Sequence, residues 1–156
     1  MERRSGDLVD LALGGEFDVI VHGCNCFHTM GAGIAKLIRA RFPEACAADK
    51  ATSYGSADKL GTTSSALVER GNVRFHVENA YTQHHWKGPG IRADYPAIKA
   101  CFEAVARDHY GARIGYPMIG AGLARGDWSI IAPLIDAALA GQRHTLVLLR
   151  PDPIPH

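Results

Sequence analysis

The sequence predicts a single α/β domain with a mixed or mainly parallel central sheet and helices on both faces. Three observations predict it. Apolar runs of strand length alternate with amphipathic segments of helix length, in the order β-α-(α)-β-β-α-β-α-β. The chain has 156 residues, which is enough for one sizeable core. It contains no internal repeat, linker or low-complexity block that would indicate a second domain.

The elements of the first half follow from the spacing of apolar residues. Residues 17–22 form an apolar, β-branched run with little alternation, which predicts a strand buried on both faces. Residues 31–41 place Ile34, Leu37 and Ile38 on one face of a helix. The predicted order is one or two helical turns, a strand, two helices and a strand pair, at residues 7–13, 17–22, 31–41, 43–50, 63–69 and 73–81.

The second half contains two further helices and two further strands. The last helix is expected to turn Ile130, Ile131, Leu134 and Ile135 towards the core, and Gly141 stops it. The predicted order is a polar loop, a helix, a strand, a glycine loop, a helix and a buried strand, at residues 82–93, 94–109, 113–118, 119–126, 127–139 and 145–149.

The composition is that of an ordinary globular protein. Hydrophobic residues make up 47% and charged residues 21% of the chain, which excludes a disordered class. The formal net charge of +1, with both signs spread along the chain, argues against a general nucleic-acid binder. Neither a signal peptide nor an apolar run of ~18 residues is present. We therefore expect a cytoplasmic monomer with four reduced cysteines and no membrane partner.

The most informative segment is residues 19–36, where an apolar run ends in a polar, glycine-bearing loop that leads into a helix. This order places Asn25, His28 and several backbone N–H groups at the carboxyl end of a central strand, where ligands bind in open α/β sheets. The first N–H groups of a helix lack intrahelical partners and bind anions. The segment therefore predicts a nucleotide or phosphate ligand.

Residues 113–126 repeat this arrangement, because a strand runs into Gly120-Ala121-Gly122 and a helix follows. Glycines let the backbone approach a ligand, and successive N–H groups in such a turn form an anion-binding hollow. Two such loops can hold a diphosphate and its sugar from both sides, although each could also be only a tight turn. Neither loop matches the Gly-x-Gly-x-x-Gly or Walker pattern in its proper context, which argues against a Rossmann dehydrogenase or an ATPase.

Three polar residues are candidates for catalysis. His22 ends the first predicted strand, and histidine is the side chain most readily used as an acid or base near neutral pH. Alternatively, it is a core imidazole bonded to the backbone. Asp127 precedes the helix after the second loop and could activate water, cap that helix, or do both. Asn25 is a candidate because of its place in the first loop, where the alternative is a structural turn residue.

The series His22-x-Cys24-x-Cys26-x-His28 raises the question of a metal site, since alternate residues of a strand share one face. The series lacks the paired Cys-x-x-Cys and His-x-x-x-His spacing of structural zinc sites, so we expect no metal. Nothing in the sequence marks Cys24 as a reactive thiolate. We expect no cofactor.

Four motifs together resemble a macro domain: Gly6-Asp7-Leu8, the strand and loop at residues 19–25, the helix start at residues 30–35, and Ile119-Gly120-Ala121-Gly122-Leu123. The resemblance spans nearly the whole chain. The His-Gly-Cys-Asn-Cys version looks closest to the branch containing ADP-ribose-1″-phosphate phosphatases. The neighbouring branch of terminal ADP-ribosyl hydrolases, including antitoxins that clear ADP-ribose from DNA, is also similar. The resemblance implies a three-layer α/β/α macro domain with a mixed central sheet over residues 1–156.

The resemblance also implies a ligand of the ADP-ribose type. Asp7 would accept a hydrogen bond from the adenine amino group, and Asn25 would bond hydroxyls of the distal ribose. The first loop would pass close to that sugar, and the second would offer N–H groups to the diphosphate. The residues expected to bind ligand are Asp7, Leu8, Asn25, Gly31, Ala32, Gly33, Ile34, Gly120, Ala121, Gly122 and Leu123.

The sequence departs from this family's pattern at two places. The DNA-directed and glutamate-directed hydrolases that it resembles carry a catalytic lysine after a threonine, and Gln83 stands at that place here, with Lys87 nearby. Glutamine cannot form a Schiff base with an opened ribose. The usual first strand is shortened to residues 2–5, so residues 1–5 are expected to be an irregular tail. Residues 151–156 are expected to be irregular as well, because they contain three prolines.

The resulting hypothesis is a hydrolase acting at C1″ of the distal ribose, with ADP-ribose-1″-phosphate as the leading substrate. The labile group would lie near Asn25, His22 and Asp127, and water attack assisted by His22 or Asp127 would release phosphate. The alternatives are a mono-ADP-ribosyl hydrolase, an O-acyl-ADP-ribose deacylase, a metal-dependent phosphoesterase, and a module that binds ADP-ribose or a nucleotide signal without turnover. An ADP-ribosylated protein or nucleic acid is a further candidate partner.

Overall fold

Strands and helices alternate along the chain as its apolar pattern predicts. The computed structural model describes residues 1–149, and the predicted irregular tail at residues 151–156 lies outside them. Within the described residues, strands β1 to β6 are Glu2–Ser5, Val19–Cys24, Thr63–Arg70, Val73–Tyr81, Arg113–Tyr116 and Arg143–Leu148. Helices α1 to α5 are Leu8–Leu13, Gly33–Arg41, Pro43–Lys50, Tyr95–Asp108 and Trp128–Ala138, and a short 3₁₀ helix spans Ala57–Lys59.

The strands form one mixed sheet in the order β1-β6-β5-β2-β4-β3. Neighbouring strands are parallel, except that β3 and β4 are antiparallel. A tight turn joins β3 to β4 at Gly71, whose φ of 60° suits a residue without a Cβ. The mixed sheet and the strand pair predicted from the sequence are confirmed.

Each face of the sheet has its own apolar core. α4 and α5 cover one face, and α1, α2 and α3 cover the other. Val19 and Val21 of β2 pack into the first core, whereas Ile20 between them packs into the second. Both faces of β2 are therefore buried, which is why its sequence shows no alternation of apolar and polar residues.

Residues 2–5 correct one expectation, because they form β1 and not an irregular tail. β1 pairs in parallel with β6, from Glu2 opposite Thr145 to Ser5 opposite Leu148. All four residues of β1 are exposed, so no apolar pattern marks the strand. It is held by its backbone hydrogen bonds at the edge of the sheet, where polar residues are usual. The first strand of the sheet is therefore present, with four residues.

The inner face of α5 is a second correction. Ile131 and Ile135 are fully buried, four residues apart, but Ile130 is 45% exposed and Leu134 is only partly buried. Ile130 lies in the first turn of the helix, beside the buried stripe and not in it. The sequence therefore predicted a wider buried face for this helix than the two residues that pack into the core.

Three connections meet at the carboxyl edge of the sheet. β2 lies between β4 and β5, with Cys24 opposite Tyr81. The segments that follow these three strands therefore start side by side, as expected for adjacent parallel strands. None of the helices among residues 1–149 combines the length and the apolar character needed to cross a membrane.

Candidate functional site

A cavity of about 570 Å³ lies at this carboxyl edge. Both glycine loops line it, together with the segment that follows β4. Eight of the predicted ligand residues are among its lining: Asn25, Gly31, Ala32, Gly33, Ile34, Gly120, Gly122 and Leu123. The two loops that the sequence singles out separately are thus walls of one cavity.

The two loops approach each other across the cavity. Gly33 has a φ of 57°, and a Cβ built there would lie 3.8 Å from Cδ1 of Leu123. α2 starts at Gly33, and no side chain caps its N-terminus. On the opposite side, no residue between 1 and 149 accepts a hydrogen bond from the N–H groups of Gly120, Gly122 or Leu123. The cavity therefore has unpaired backbone donors on two sides, an arrangement that suits an anion.

The second glycine loop is closed by a single short hydrogen bond. The N–H of Gly126 donates to the carbonyl of Gly120, at 2.6 Å. Gly120 has a φ of 78°, and Ile98 and Ile131 pack beneath it. Ala121 differs from its neighbours, because its N–H donates to the carbonyl of Met118, at 3.2 Å, and its side chain packs on the core. Ala121 is not among the residues that line the cavity, and its expected role as a donor to the ligand stays a prediction.

Asn25 lines the cavity but uses its amide within its own loop. Its Oδ1 accepts from the N–H of Phe27, at 2.8 Å, and its Nδ2 donates to the carbonyl and the hydroxyl of Thr29. Only 8% of Asn25 is exposed. The structural-turn role and a place in the lining of the cavity therefore occur together in this residue.

His28 anchors the same loop from outside. Its φ of 59° is unusual for a residue with a side chain, and its Nε2 lies 2.8 Å from the carbonyl oxygen of Thr52. His28 does not line the cavity.

His22 is not among the residues that line the cavity, and its expected catalytic role stays a prediction. The ring is fully buried, and its Nε2 lies 2.6 Å from Oδ1 of Asn79. The amide nitrogen of Asn79 donates to Ala45 and Ser64, so its oxygen faces the imidazole and Nε2 carries the proton. The sequence placed His22 at the end of a strand, but β2 continues for two more residues, to Cys24. That extension encloses His22 in the sheet, so the core interpretation is the better one, with a side-chain partner.

The stability of the fold should depend on pH through this histidine. Burial lowers the pKa of His22, and burial also lowers the pKa values of His76 and His144. The histidines of the unfolded chain have a pKa of about 6.5, so near and below this pH the unfolded chain binds more protons than the folded chain. The free energy of unfolding therefore falls as the pH falls below about 6.5.

We expect the melting temperature to fall between about pH 7 and pH 5, and to fall less in a His22→Ala variant. Thermal unfolding followed by circular dichroism at several pH values checks this. A melting temperature that stays constant across the range would contradict it.

Asp127 is the N-cap of α5 and lies outside the cavity. Its Oδ1 accepts from the N–H of Ser129, at 2.9 Å, and from the hydroxyl of Ser129, at 2.7 Å. These hydrogen bonds lower the pKa of the carboxyl. The side chain is exposed and is not among the lining of the cavity, so the structure shows the capping role, and the water-activating role stays a prediction.

Asp7 and Leu8 also lie outside the lining of the cavity. Asp7 is the N-cap of α1, and its Oδ1 accepts from the N–H groups of Val9 and Asp10, at 2.8 and 3.1 Å. Leu8 is buried in the second core. The side chain of Leu8 is therefore part of the core, and its expected contact with the ligand stays a prediction. A role of Asp7 at the adenine stays a prediction.

Several residues that line the cavity are not among the residues predicted to bind ligand: Cys24, Thr82, Gln83, Trp86, Arg92 and Met118. Each comes from the end of β2 or from the segments after β4 and β5. The rule that ligands bind at the carboxyl ends of parallel strands would have found them once the strand neighbours were known. Burial raises the pKa of the Cys24 thiol well above its usual range, so Cys24 stays protonated and is a poor nucleophile.

The residues of the alternating His/Cys series do not converge on a metal. Cys26 Sγ lies against the carbonyl of Gln83, and the ring of His28 is bonded to Thr52. No group of three or more His, Cys, Asp or Glu within the described range is arranged to hold a metal ion.

A smaller hollow of about 290 Å³ lies at the opposite edge of the sheet. Its charged side chains are largely paired with each other or with neighbours, as Arg4 is with Glu16 and Arg113 is with Asp18. No glycine loop or helix N-terminus lines it. The larger cavity is therefore the candidate site.

Comparison with known proteins agrees with this geometry. The family model described as the macro domain matches residues 21–135. An uncharacterized 17.5 kDa protein in the tk-vs intergenic region of Enterobacteria phage T4 is 37% identical over 138 residues, which is 84% of each chain. A DNA ADP-ribosyl glycohydrolase of Mycobacterium tuberculosis is 30% identical over 129 residues, covering 80% of this chain but 34% of that protein. The macrodomain of Mycobacterium tuberculosis DarG has a similar fold, with a TM-score of 0.68 and 24% identity over 94% of this chain and 95% of that one.

Proposed function

The chain belongs to the macro domain family, and on that premise we propose that its cavity binds ADP-ribose and that it hydrolyses a phosphate ester at C1″ of the distal ribose. The observation that carries this proposal is the convergence of both glycine loops and Asn25 on one cavity. The diphosphate binds between the N–H groups of Gly120, Gly122 and Leu123 and the first turn of α2. Asn25 and Gly33 border the distal ribose.

The lining of the cavity favours attack of water on phosphorus, in which the P–O bond to the C1″ oxygen breaks and the products are phosphate and ADP-ribose. Among the described residues that line it there is no carboxylate and no imidazole. Glycosidases that cleave the bond to the sugar generally use a pair of carboxylates, and a Schiff base needs a lysine, where this chain has Gln83. Phosphoryl transfer does not require such a carboxylate pair or lysine, because positioning and electrostatic stabilisation supply most of its catalysis. Preorganised N–H donors are suited to that task.

The test combines binding and turnover. Isothermal titration calorimetry with ADP-ribose measures binding, and mass spectrometry follows the products from ADP-ribose-1″-phosphate, O-acetyl-ADP-ribose, ADP-ribosylated protein and ADP-ribosylated DNA. We expect binding of ADP-ribose, and release of phosphate from the first derivative. Binding without any turnover would leave a binding module, and the absence of binding would end the proposal.

A second candidate is the removal of ADP-ribose from DNA. The mycobacterial relative named a DNA ADP-ribosyl glycohydrolase is 30% identical over 80% of this chain, and this similarity is what favours it. This chain spans only about a third of that protein's length, 34%. The ADP-ribosylated DNA in the same panel distinguishes the two candidates.

Asp127 offers a direct test of which residues the reaction needs. Serine is as good an N-cap as aspartate, whereas alanine is a poor one. We expect Asp127→Ser to melt close to the wild type and Asp127→Ala to melt several degrees lower, with both variants keeping wild-type binding and turnover. Thermal unfolding and the phosphate-release assay measure these quantities. A loss of turnover in both variants at unchanged stability would show that Asp127 takes part in catalysis.

A further inference from the structure

Arg92 is the only side chain with a formal charge among the described residues that line the cavity. We propose that its guanidinium binds a phosphate oxygen of the ligand and is a specificity-determining residue of this site. This inference rests on the proposed function, because it assumes that an ADP-ribose derivative occupies the cavity. It adds a charged side chain to a site otherwise built from neutral backbone donors.

The backbone around Arg92 fixes it beside the second glycine loop. The N–H groups of Arg92 and Ala93 both donate to the carbonyl of Ala124, at 2.8 and 3.2 Å. The segment after β4 is therefore bonded to the loop that carries the unpaired donors at Gly120, Gly122 and Leu123. Arg92 cannot move far from those donors without breaking both hydrogen bonds.

The side chain bridges the same two segments and still has a donor to spare. Nη1 donates to the carbonyl of Gly88, at 2.6 Å, and Nη2 donates to the carbonyl of Leu123. Nε is buried, and no residue between 1 and 149 accepts its hydrogen. A buried N–H without an acceptor costs free energy, and a ligand oxygen reaches Nε after a shift of the side chain, whereas Nη1 and Nη2 each keep a second N–H that can donate directly.

A phosphate oxygen is the acceptor that fits this group best. The guanidinium presents five N–H donors in a planar fork, and phosphate is among the anions that this geometry matches. The diphosphate of ADP-ribose carries two negative charges, and the backbone donors that face it carry no net charge. A cation within the lining compensates part of that charge where water is partly excluded.

The leading substrate offers acceptor oxygens for this guanidinium at two places, the diphosphate and the phosphate at C1″. Leu123, whose carbonyl Arg92 holds, belongs to the proposed diphosphate loop. Trp86 and Gln83, from the same segment as Arg92, line the cavity as well. The experiment therefore includes ligands that carry one or both groups.

The test compares Arg92→Gln and Arg92→Lys with an Arg125→Gln control. Arg125 is an exposed arginine of the same loop that does not line the cavity. Calorimetry measures the affinity for ADP-ribose, the KM for phosphate release measures the interaction with ADP-ribose-1″-phosphate, and an NMR titration measures the weaker affinity for adenosine. Thermal unfolding of each variant confirms that it is folded.

We expect Arg92→Gln to weaken binding by about tenfold or more, as expected for a lost charge-assisted hydrogen bond. A loss shared by both phosphorylated ligands assigns Arg92 to the diphosphate, and a loss confined to ADP-ribose-1″-phosphate assigns it to the C1″ phosphate. Adenosine binding should stay unchanged. Arg92→Lys should retain part of the affinity, because it keeps the charge, and Arg125→Gln all of it. The difference between wild type and Arg92→Gln should shrink as salt is raised.

Three results would overturn the inference. Unchanged affinity in Arg92→Gln means that the guanidinium does not touch the ligand. An equal loss for adenosine, with Arg92→Lys as weak as Arg92→Gln, means that Arg92 only holds the two segments together. If wild-type protein fails to bind ADP-ribose, the proposed function falls and the inference falls with it, whereas the first two results leave the proposed function standing.

Discussion

Replacing Gly126 with alanine should weaken ADP-ribose binding by at least about a hundredfold, because the backbone donors of a binding loop work only at hydrogen-bonding distance. A Cβ at this position would lie 2.5 Å from the carbonyl oxygen of Gly120, and 2.8 Å from Cδ1 of Ile131. The first contact is with backbone, so a change of rotamer cannot relieve it. The hydrogen bond between Gly126 and Gly120 must break, and the donors of the loop must move.

Calorimetry with ADP-ribose measures this effect, and thermal unfolding measures its cost in stability. Gly122 is the matched control for stability, because a Cβ there meets nothing within 4 Å. Gly122→Ala should melt like the wild type, whereas Gly126→Ala should melt lower. Wild-type affinity in a folded Gly126→Ala variant would show that the shape of this loop does not matter for the ligand.

Replacing His22 with alanine should lower the free energy of unfolding by about 2–4 kcal/mol, a range typical of large-to-small changes that also strand a buried polar group. The ring is fully buried, and its removal leaves Oδ1 of Asn79 without its partner. For a domain of this size the melting temperature should fall by roughly 10 °C. Denaturant unfolding measures the free energy directly.

The same variant separates a structural histidine from a catalytic one. At a temperature where it is folded, His22→Ala should keep wild-type affinity and turnover, since no atom of the ring borders the cavity. Asn79→Ala should be destabilised as well. The double variant should lose less unfolding free energy than the sum of the two single variants, because the hydrogen bond between His22 and Asn79 is lost in both. A turnover that collapses while stability stays intact would restore the role that the sequence suggested for His22.

The sequence predicted the parts of this molecule that have a local signal. The apolar run of β2 and the glycines at 31–33 and 120–122 mark two strand–loop–helix units, and parallel pairing brings them to one edge. The hairpin of β3 and β4 was predicted in the same way. β1 was missed because its four residues are exposed, so no apolar pattern marks the strand that pairs with β6.

The chemistry of single residues was harder to predict, because burial decides it. His22 was assigned to the ligand because the strand was ended two residues too early. An aspartate at a helix start can be a cap, a catalytic group or both, and the sequence alone did not show the two hydrogen bonds from Ser129 that make Asp127 a cap. Arg92 lies in a polar segment without periodicity, so nothing local indicates that its side chain lines the cavity, whereas Trp86 could be read equally as a border of the ribose or as surface.

The most direct measurement of the central claim is an NMR titration of ¹⁵N-labelled protein with ADP-ribose. The two-loop cavity predicts that the largest shifts occur at the amides of Gly120, Gly122 and Leu123 and at those of Gly33 and Ile34, with one common affinity. Shifts confined to one loop, or centred on the hollow near Arg4 and Arg113 at the opposite edge of the sheet, would contradict it.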